Sequence, residues 1–368
     1  MKVAPNVRSM AIDRRARILE ICSYPPPHAG WGVRVAFVRR HLEESGHHCQ
    51  VLNTGKSRRN KSLNYLDVQS GFDYLRKVIR HARQGYFIHT HLNGDSIKGL
   101  VLVLAAEAVS VLFGRSCALT FHAGPEQRFF PKRQNRLIAP LYSLAFALPK
   151  TIICNSDVVK QAIETYGVGA EKIVAIPAFS RQYLAFQRVA LSAELEAFLS
   201  RHEPIIISYI FLRPEFFVES LVKSLAQVAT KIPNLGVVLI GGETKSDAAT
   251  RMLRASGLDG VVFQAGDLSH DECMTVISRA NIFVRTPKKD GVSSSVLEAL
   301  SLGIPVIASD NGTRPPGVIT FQAGDAVDLA ARIVDVWQRY HAVRSELVPP
   351  SIQDTVQSEA TLLLDLAM

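Results

Sequence analysis

The chain has 368 residues, 47% of them apolar and 20% charged. That is the composition of a water-soluble globular protein too long for one ordinary core, so two α/β domains are expected. Its net charge of +9 is uneven, with 26 Lys/Arg against 12 Asp/Glu over residues 1–185 and 16 against 21 over residues 186–368. The first half should therefore either meet something anionic (a membrane surface, a phosphate-bearing lipid or nucleic acid) or present a solvated basic face.

The five cysteines (Cys22, Cys49, Cys117, Cys154 and Cys273) form no C-x-x-C pair and have no histidine at zinc spacing, which fits buried thiols in a reducing cytosol. The basic, polar first residues lack the apolar core of a signal peptide and read as a short leader. The longest apolar run, Leu100 to Phe113 with Glu107 inside it, is too short to span a bilayer and reads as a buried helix.

In chain order, Arg17 to Ser23 alternates as a strand, Tyr24 to Gly32 is a Pro- and Gly-rich loop, and Val33 to Ser45 has helical spacing. Cys49 to Asn53 completes the opening unit of a doubly wound domain. The Gly30-Trp31-Gly32 loop would let a phosphate or sugar approach the backbone, although a plain helix-entry turn also wants glycine. Residues 55–64 form a basic loop, and Leu75 to Arg83 is an amphipathic helix with a basic face. Strands follow at Tyr86 to Thr90, Cys117 to Phe121, Thr151 to Asn155 and Glu171 to Pro177. A connector from Ala178 to Glu203 holds the domain boundary. The second series has strands at Ile205 to Ile210, Gly236 to Ile240, Val261 to Gln264, Ile282 to Val284, Ile304 to Ser309 and Val318 to Phe321, with helices between them and a helical tail from Gln353.

Polar residues ending parallel strands line the crevice where doubly wound folds bind ligands, which singles out His91, Asn93, Asp95 and His122. In the second half the organising stretch is Phe283 to Gly312: a strand, a polar Gly loop, a Ser-capped helix and a buried strand. Ser293, Ser294 and Ser295 can cap free N–H groups at a helix end whose positive dipole attracts phosphate. Glu298 reads as a first-turn carboxylate able to accept paired hydrogen bonds from a ribose diol. An ordinary βαβ crossover with one acidic residue accounts for the same local pattern.

Taken together, Gly30-Trp31-Gly32, Leu119 to Gly124, Ile153 to Ser156, Glu171 to Pro177, Val238 to Gly242 and Asp290 to Ser309 resemble a family 4 (group 1) glycosyltransferase of the retaining GT-B type. Leu297 to Ser309 is the most specific part, and the similarity covers nearly the whole chain. The resemblance implies two Rossmann-like domains facing a cleft, with an acceptor domain over residues 1–182 and a nucleotide-sugar domain over 183–350. A terminal helix over 351–368 would cross back to the first. It further implies that Glu298 binds the nucleotide ribose, Asp290 faces the donor sugar, and His122 approaches the transferring centre. Gly30 and Gly32 would lie near the diphosphate, with Ser294 and Ser295 at the phosphate-facing helix end. No metal and no cofactor are implied, because helix dipoles and cationic side chains offset the leaving diphosphate.

Two departures from the family pattern stand out. The first acid is Asp290, one methylene shorter than Glu. The places of the usual diphosphate-clamping Arg and Lys are filled by Tyr209 and Phe216, a loss worth roughly 10²–10³ in rate per missing donor. Arg213, Arg285, Lys288 and Lys289 are the nearest replacements, and Arg285 is attractive because it ends the strand entering the phosphate-facing loop.

The expected function is thus a retaining transfer from a nucleotide-sugar to a glycan or lipid-linked acceptor, in cell-surface polysaccharide biosynthesis. The expected location is the cytoplasm, peripheral at an anionic inner membrane face. The alternative is a catalytically silent GT-B protein that binds a glycan, nucleotide or partner, motivated by the missing clamp. Nucleic acid is not an expected partner, since only charge favours it.

Overall fold

The computed structural model describes residues 15–26, 28, 30–122, 124, 127–288, 293–312 and 314–368. The first sheet is built from β1 (Arg17–Cys22), β2 (His48–Asn53), β3 (Phe87–Leu92), β4 (Cys117–Phe121), β5 (Thr151–Cys154) and β6 (Ile173–Ala175). Its strands lie side by side in the order β2-β1-β3-β4-β5-β6, all parallel. Parallel neighbours need long crossovers. Helices α1 (Gly30–Glu44), α2 (Gly71–Arg83), α3 (Ile97–Leu112), α4 (Ala139–Ala147) and α5 (Asp157–Glu164) supply them. Because helices cover both faces, the strands are buried almost throughout, as in β3, where all six residues are buried.

After α6 (Ala193–Arg201) the second sheet takes β7 (Ile205–Tyr209), β8 (Gly236–Ile240), β9 (Val262–Gly266), β10 (Ile282–Arg285), β11 (Val306–Ser309) and β12 (Val318–Phe321). It too is parallel, in the order β12-β11-β10-β7-β8-β9. Its crossovers include α7 (Val218–Lys231), α8 (Asp247–Ala255), α9 (His270–Ile277) and α10 (Ser294–Ser301). Ser269 caps α9 in a reciprocal capping box with Glu272. Then come α11 (Ala326–Gln338), α12 (Tyr340–Glu346) and α13 (Thr355–Ala367).

The last helix returns to the first sheet. Val356, Ala360 and Leu363 of α13 join the core built from Ile18, Val38 and Leu42. The return is pinned by a buried ion pair, in which Arg34 Nε donates to Glu359 Oε2 at 2.5 Å and Arg34 Nη1 donates to Thr355 Oγ1 at 3.1 Å.

Three sequence expectations shift, and one helix is added to them. Gly30-Trp31-Gly32 is no loop but the first turn of α1. A Cβ on Gly32 would stand 2.9 Å from the Ser23 carbonyl oxygen, so glycine is what lets the helix start against the end of β1. Strand β3 runs on to Leu92, because His91 and Leu92 keep register with Thr120 and Phe121. Helix α3 is amphipathic rather than buried all round, with Val101 and Leu112 exposed opposite Leu100, Val103 and Ala106. Helix α4 has no sequence counterpart in the expectations above; it buries Tyr142 and Phe146 against Phe121 and Phe130.

Candidate nucleotide-sugar cleft

The carboxyl ends of both sheets face a cavity of about 390 Å³. The first sheet contributes Gly30, Trp31, Arg34, Asn93, Asp95 and His122, and the second contributes Tyr209, Arg285, Ser293, Ser294, Ser295 and Glu298. The two sides touch beside it, where Tyr209 Oη donates to the His28 carbonyl at 2.9 Å and His28 N donates to Asp267 Oδ1 at 3.3 Å.

On the second side, α10 begins at the cavity. Ser293 occupies the N-cap position, yet its side chain caps no backbone N–H; its Oγ lies 3.1 Å from Ser295 Oγ instead. The expected serine capping is therefore not made by Ser293, and no side chain among the described residues accepts from that helix end. Glu298 sits one turn further along than the sequence suggests, and the first turn holds no acid. It is only 7% exposed, and burial pushes its carboxyl up to about 8. Its side chain makes no hydrogen bond or ion pair to any described residue. A buried carboxylate without a partner is costly unless something else supplies hydrogen bonds.

Arg285 stands where the sequence comparison found a gap. It is buried at the end of β10; its Nη1 donates to the Tyr209 carbonyl at 3.0 Å, and its guanidinium lies 5.2 Å from the Phe216 ring. One cation thus touches both residues that fill the clamp positions. Arg213 does not join it: it is exposed, stacked on Phe211 at 5.2 Å, and lies outside the cavity lining. Lys288 is exposed and borders a different hollow beside Asp310 and Asp328. Asp290 and Lys289 lie outside the described residues.

On the first side, Gly30 has no atom within 4 Å of where a Cβ would be, so it leaves open room at the cavity wall. Gly32 is turned toward Ser23 and does not line the cavity. His122 packs against Trp31, with ring centroids 4.9 Å apart, and its Nε2 lies 2.7 Å from His91 Nδ1. His91 Nε2 in turn lies 2.7 Å from Glu20 Oε2. Burial alone would raise the Glu20 carboxyl, but neighbouring His89 and His91 outweigh it and hold it at about 2. Burial, and then the neighbouring histidines, pushes both His91 and His122 below the ordinary imidazole range.

Glu20 and Arg34 escaped the sequence reading. The signal for Glu20 was a lone acid inside an otherwise apolar strand, which a fully buried position must answer with partners. Arg34 sits among apolar helix positions, and its partners lie more than 140 residues away.

A second cavity, about 740 Å³, adjoins the first and shares Trp31 and Asn93 with it. Lys56, Arg58, Arg59 and Lys98 line it, so part of the basic loop expected over residues 55–64 is a cavity wall. Beside it α2 and α3 expose Phe72, Leu75, Ile97 and Val101 next to Arg76 and Arg80. No helix among the described residues is long and apolar enough to cross a membrane.

Two facing parallel α/β sheets, with a cleft at their strand ends and a terminal helix crossing back, define a GT-B fold. Residues 29–179 match the family profile described as Glycosyltransferase Family 4, and residues 196–328 match that of Glycosyl transferases group 1. The chain belongs to this glycosyltransferase family. Among solved structures, Anabaena HepE in complex with UDP-glucose superposes with a TM-score of 0.66 over 95% of each chain at 16% identity. Sucrose-phosphate synthase from Thermosynechococcus elongatus gives 0.63 at 18% identity, covering 95% of this chain and 96% of that one. A GDP-mannose-dependent alpha-(1-6)-phosphatidylinositol monomannoside mannosyltransferase of Mycolicibacterium smegmatis is 25% identical over 133 residues. That match spans 34% of this chain and about a third (35%) of the relative's length.

Proposed function

We propose that the protein transfers a glycosyl group, with retention, from a nucleotide-sugar bound in the cleft to a glycan or lipid-linked acceptor bound in the adjoining basic cavity. The observation that carries this reading is Glu298, a buried carboxyl raised to about 8 and without a partner among the described residues, one turn inside a helix whose N-terminus faces the same cavity. A ribose diol supplies two hydroxyl donors to such a carboxylate, and a diphosphate supplies the anion that the helix end attracts. Arg285 adds the cation that the usual clamp lacks, so the leaving diphosphate is stabilised by the chain's own groups without a bound metal. His122 and Asp290 would face the sugar. That Anabaena HepE is known with UDP-glucose supports a nucleotide-sugar donor.

The acceptor side follows from charge. Lys56, Arg58, Arg59 and Lys98 suit a phosphate-linked acceptor. The exposed apolar and basic residues of α2 and α3 suit a peripheral position at an anionic, cytoplasmic membrane face. The Mycolicibacterium relative, by its name a phosphatidylinositol monomannoside mannosyltransferase, is in keeping with a lipid-linked acceptor, and the role we infer for such a transfer is cell-surface polysaccharide biosynthesis. Incubation with a panel of nucleotide-sugars, followed by nucleoside diphosphate release, tests the reading. Binding of a nucleotide-sugar with no release, with and without lipid-linked acceptors, would instead make this a silent binding protein.

A further inference from the structure

His122 is the last member of a buried chain of polar side chains that runs back into the first sheet. Glu20 on β1 is in register with His89 on β3, and His91, two residues on, is in register with Thr120 on β4. Glu20, His89, His91 and Thr120 are all buried, and the His122 ring lies nearly parallel to that of His91, with planes 8° apart and centroids 5.1 Å apart. Hydrogen bonds of 2.7 Å join Glu20 Oε2 to His91 Nε2, and His91 Nδ1 to His122 Nε2. His89 Nδ1 stands 2.8 Å from the same Glu20 oxygen, and its Nε2 is 2.7 Å from Thr120 Oγ1.

The direction of each bond in the chain follows from its first member together with a singly protonated His91, the state that its burial favours. An ionised carboxylate can only accept, so His91 Nε2 must carry the proton. A neutral imidazole with its proton on Nε2 has a bare Nδ1, which can only accept from His122 Nε2–H. His122 then has a bare Nδ1 as its one remaining polar atom, and that atom has no hydrogen-bond partner among the described residues. We propose that Glu20 and His91 are positioning residues that fix His122 as the Nε2–H tautomer, so that it meets the ligand as a hydrogen-bond acceptor. Such a nitrogen selects a hydroxyl of the donor sugar and contributes nothing to holding a phosphate oxygen. This assignment of ligand chemistry rests on the cleft being a nucleotide-sugar site; the tautomer does not.

The groups around the chain agree with this polarity. Arg34 from α1 is paired with Glu359 from α13, Trp31 covers His122 with an apolar ring, and His89 faces Glu20. Glu20, His89 and His91 also form a set of the kind that holds a divalent metal. Their ligand atoms, however, stand 2.7 and 2.8 Å apart at the carboxylate, whereas a tetrahedral ion with bonds of about 2.0–2.1 Å would spread them to roughly 3.3 Å. The two states predict opposite polarity. With a metal on His91 Nε2, its Nδ1 would carry the proton and donate to His122 Nε2, which would turn His122 Nδ1 into a donor.

Long-range ¹H–¹⁵N correlation on the full chain, labelled at histidine ring nitrogens and treated with chelator, reads the tautomer directly. The His122 signals are assigned by their loss in His122→Gln. We expect a protonated Nε2 and a bare Nδ1 on His122 between about pH 6 and 8, and loss of that single tautomer in Glu20→Gln and His91→Gln. In the same two variants kcat/KM for the sugar nucleotide should fall about tenfold or more, while affinity for the free nucleoside diphosphate stays within about twofold. A protonated Nδ1 on His122 in the parent protein overturns the proposal, as does an equal loss of nucleoside diphosphate affinity. Stoichiometric zinc uptake that inverts the His122 tautomer replaces it with the metal reading. If no nucleotide binds at all, the functional reading of the cleft fails while the tautomer is still decided.

Discussion

Replacing Glu298 by Gln offers a test in which the sign of a pH effect is fixed beforehand. The carboxyl is raised from an ordinary 4.5 to about 8 by burial, so at pH 7 only about a tenth of it is ionised. A ribose diol that donates two hydrogen bonds favours the carboxylate, each charge-assisted bond being worth about 1.5–3 kcal/mol. Nucleotide-sugar affinity should then rise about tenfold between pH 7 and pH 9 and level off above the carboxyl's own value near 8. Without ligand the sign is reversed. A raised carboxyl stabilises the fold most below its unfolded value, and that contribution, a few kcal/mol, is lost as pH rises towards 8. Isothermal calorimetry with a nucleotide-sugar, whose phosphates do not titrate in this range, measures the effect. In Glu298→Gln the pH dependence should vanish, with affinity at pH 9 about 30- to 100-fold weaker than the parent's. A flat pH profile in the parent protein, or an unchanged affinity in the variant, would refute the ribose assignment.

Arg285→Gln should lower kcat by about 10²–10³, since it removes the cation proposed to face the leaving diphosphate. Arg213→Gln, on an exposed residue outside the cavity, should leave kcat within about twofold, and steady-state kinetics on both variants separates the two arginines. Glu359→Ala leaves Arg34 buried without its carboxylate and should cost about 3–5 kcal/mol in urea unfolding. Reversing Arg76 and Arg80 of α2 to Glu should weaken sedimentation with phosphatidylserine vesicles by about 1 kcal/mol per charge, an effect that added salt should diminish.

Much of the architecture was open to reading because buried parallel strands have a strong local signature. Cys117–Phe121 and Gly236–Ile240 agree residue for residue with the expected strands, and both are buried throughout. The sequence singled out His122 at a strand end and Glu298 in a family motif, and these two come to line one cavity. What stayed hidden depends on tertiary contact. Gly30-Trp31-Gly32 looks like a loop until β1 is placed beside it, when Gly32 proves to be the residue that admits a helix there. Arg285 could be ranked above Arg213 only on chain position. Its contacts with Tyr209 and Phe216 span about 70 residues or more and exist only once β7 and β10 are paired. Glu20 gave a one-residue signal, and its meaning came from His91 on the neighbouring strand.

The central claim is that the cleft between the two sheets binds a nucleotide-sugar through Glu298 and turns it over. Nucleoside diphosphate release from a nucleotide-sugar panel, measured on the parent protein and on Glu298→Ala side by side, tests it most directly. The account predicts release from at least one nucleotide-sugar and a fall of about 100-fold or more in kcat/KM for the variant. Release that continues undiminished in Glu298→Ala, or none from any nucleotide-sugar by the parent protein, would contradict it.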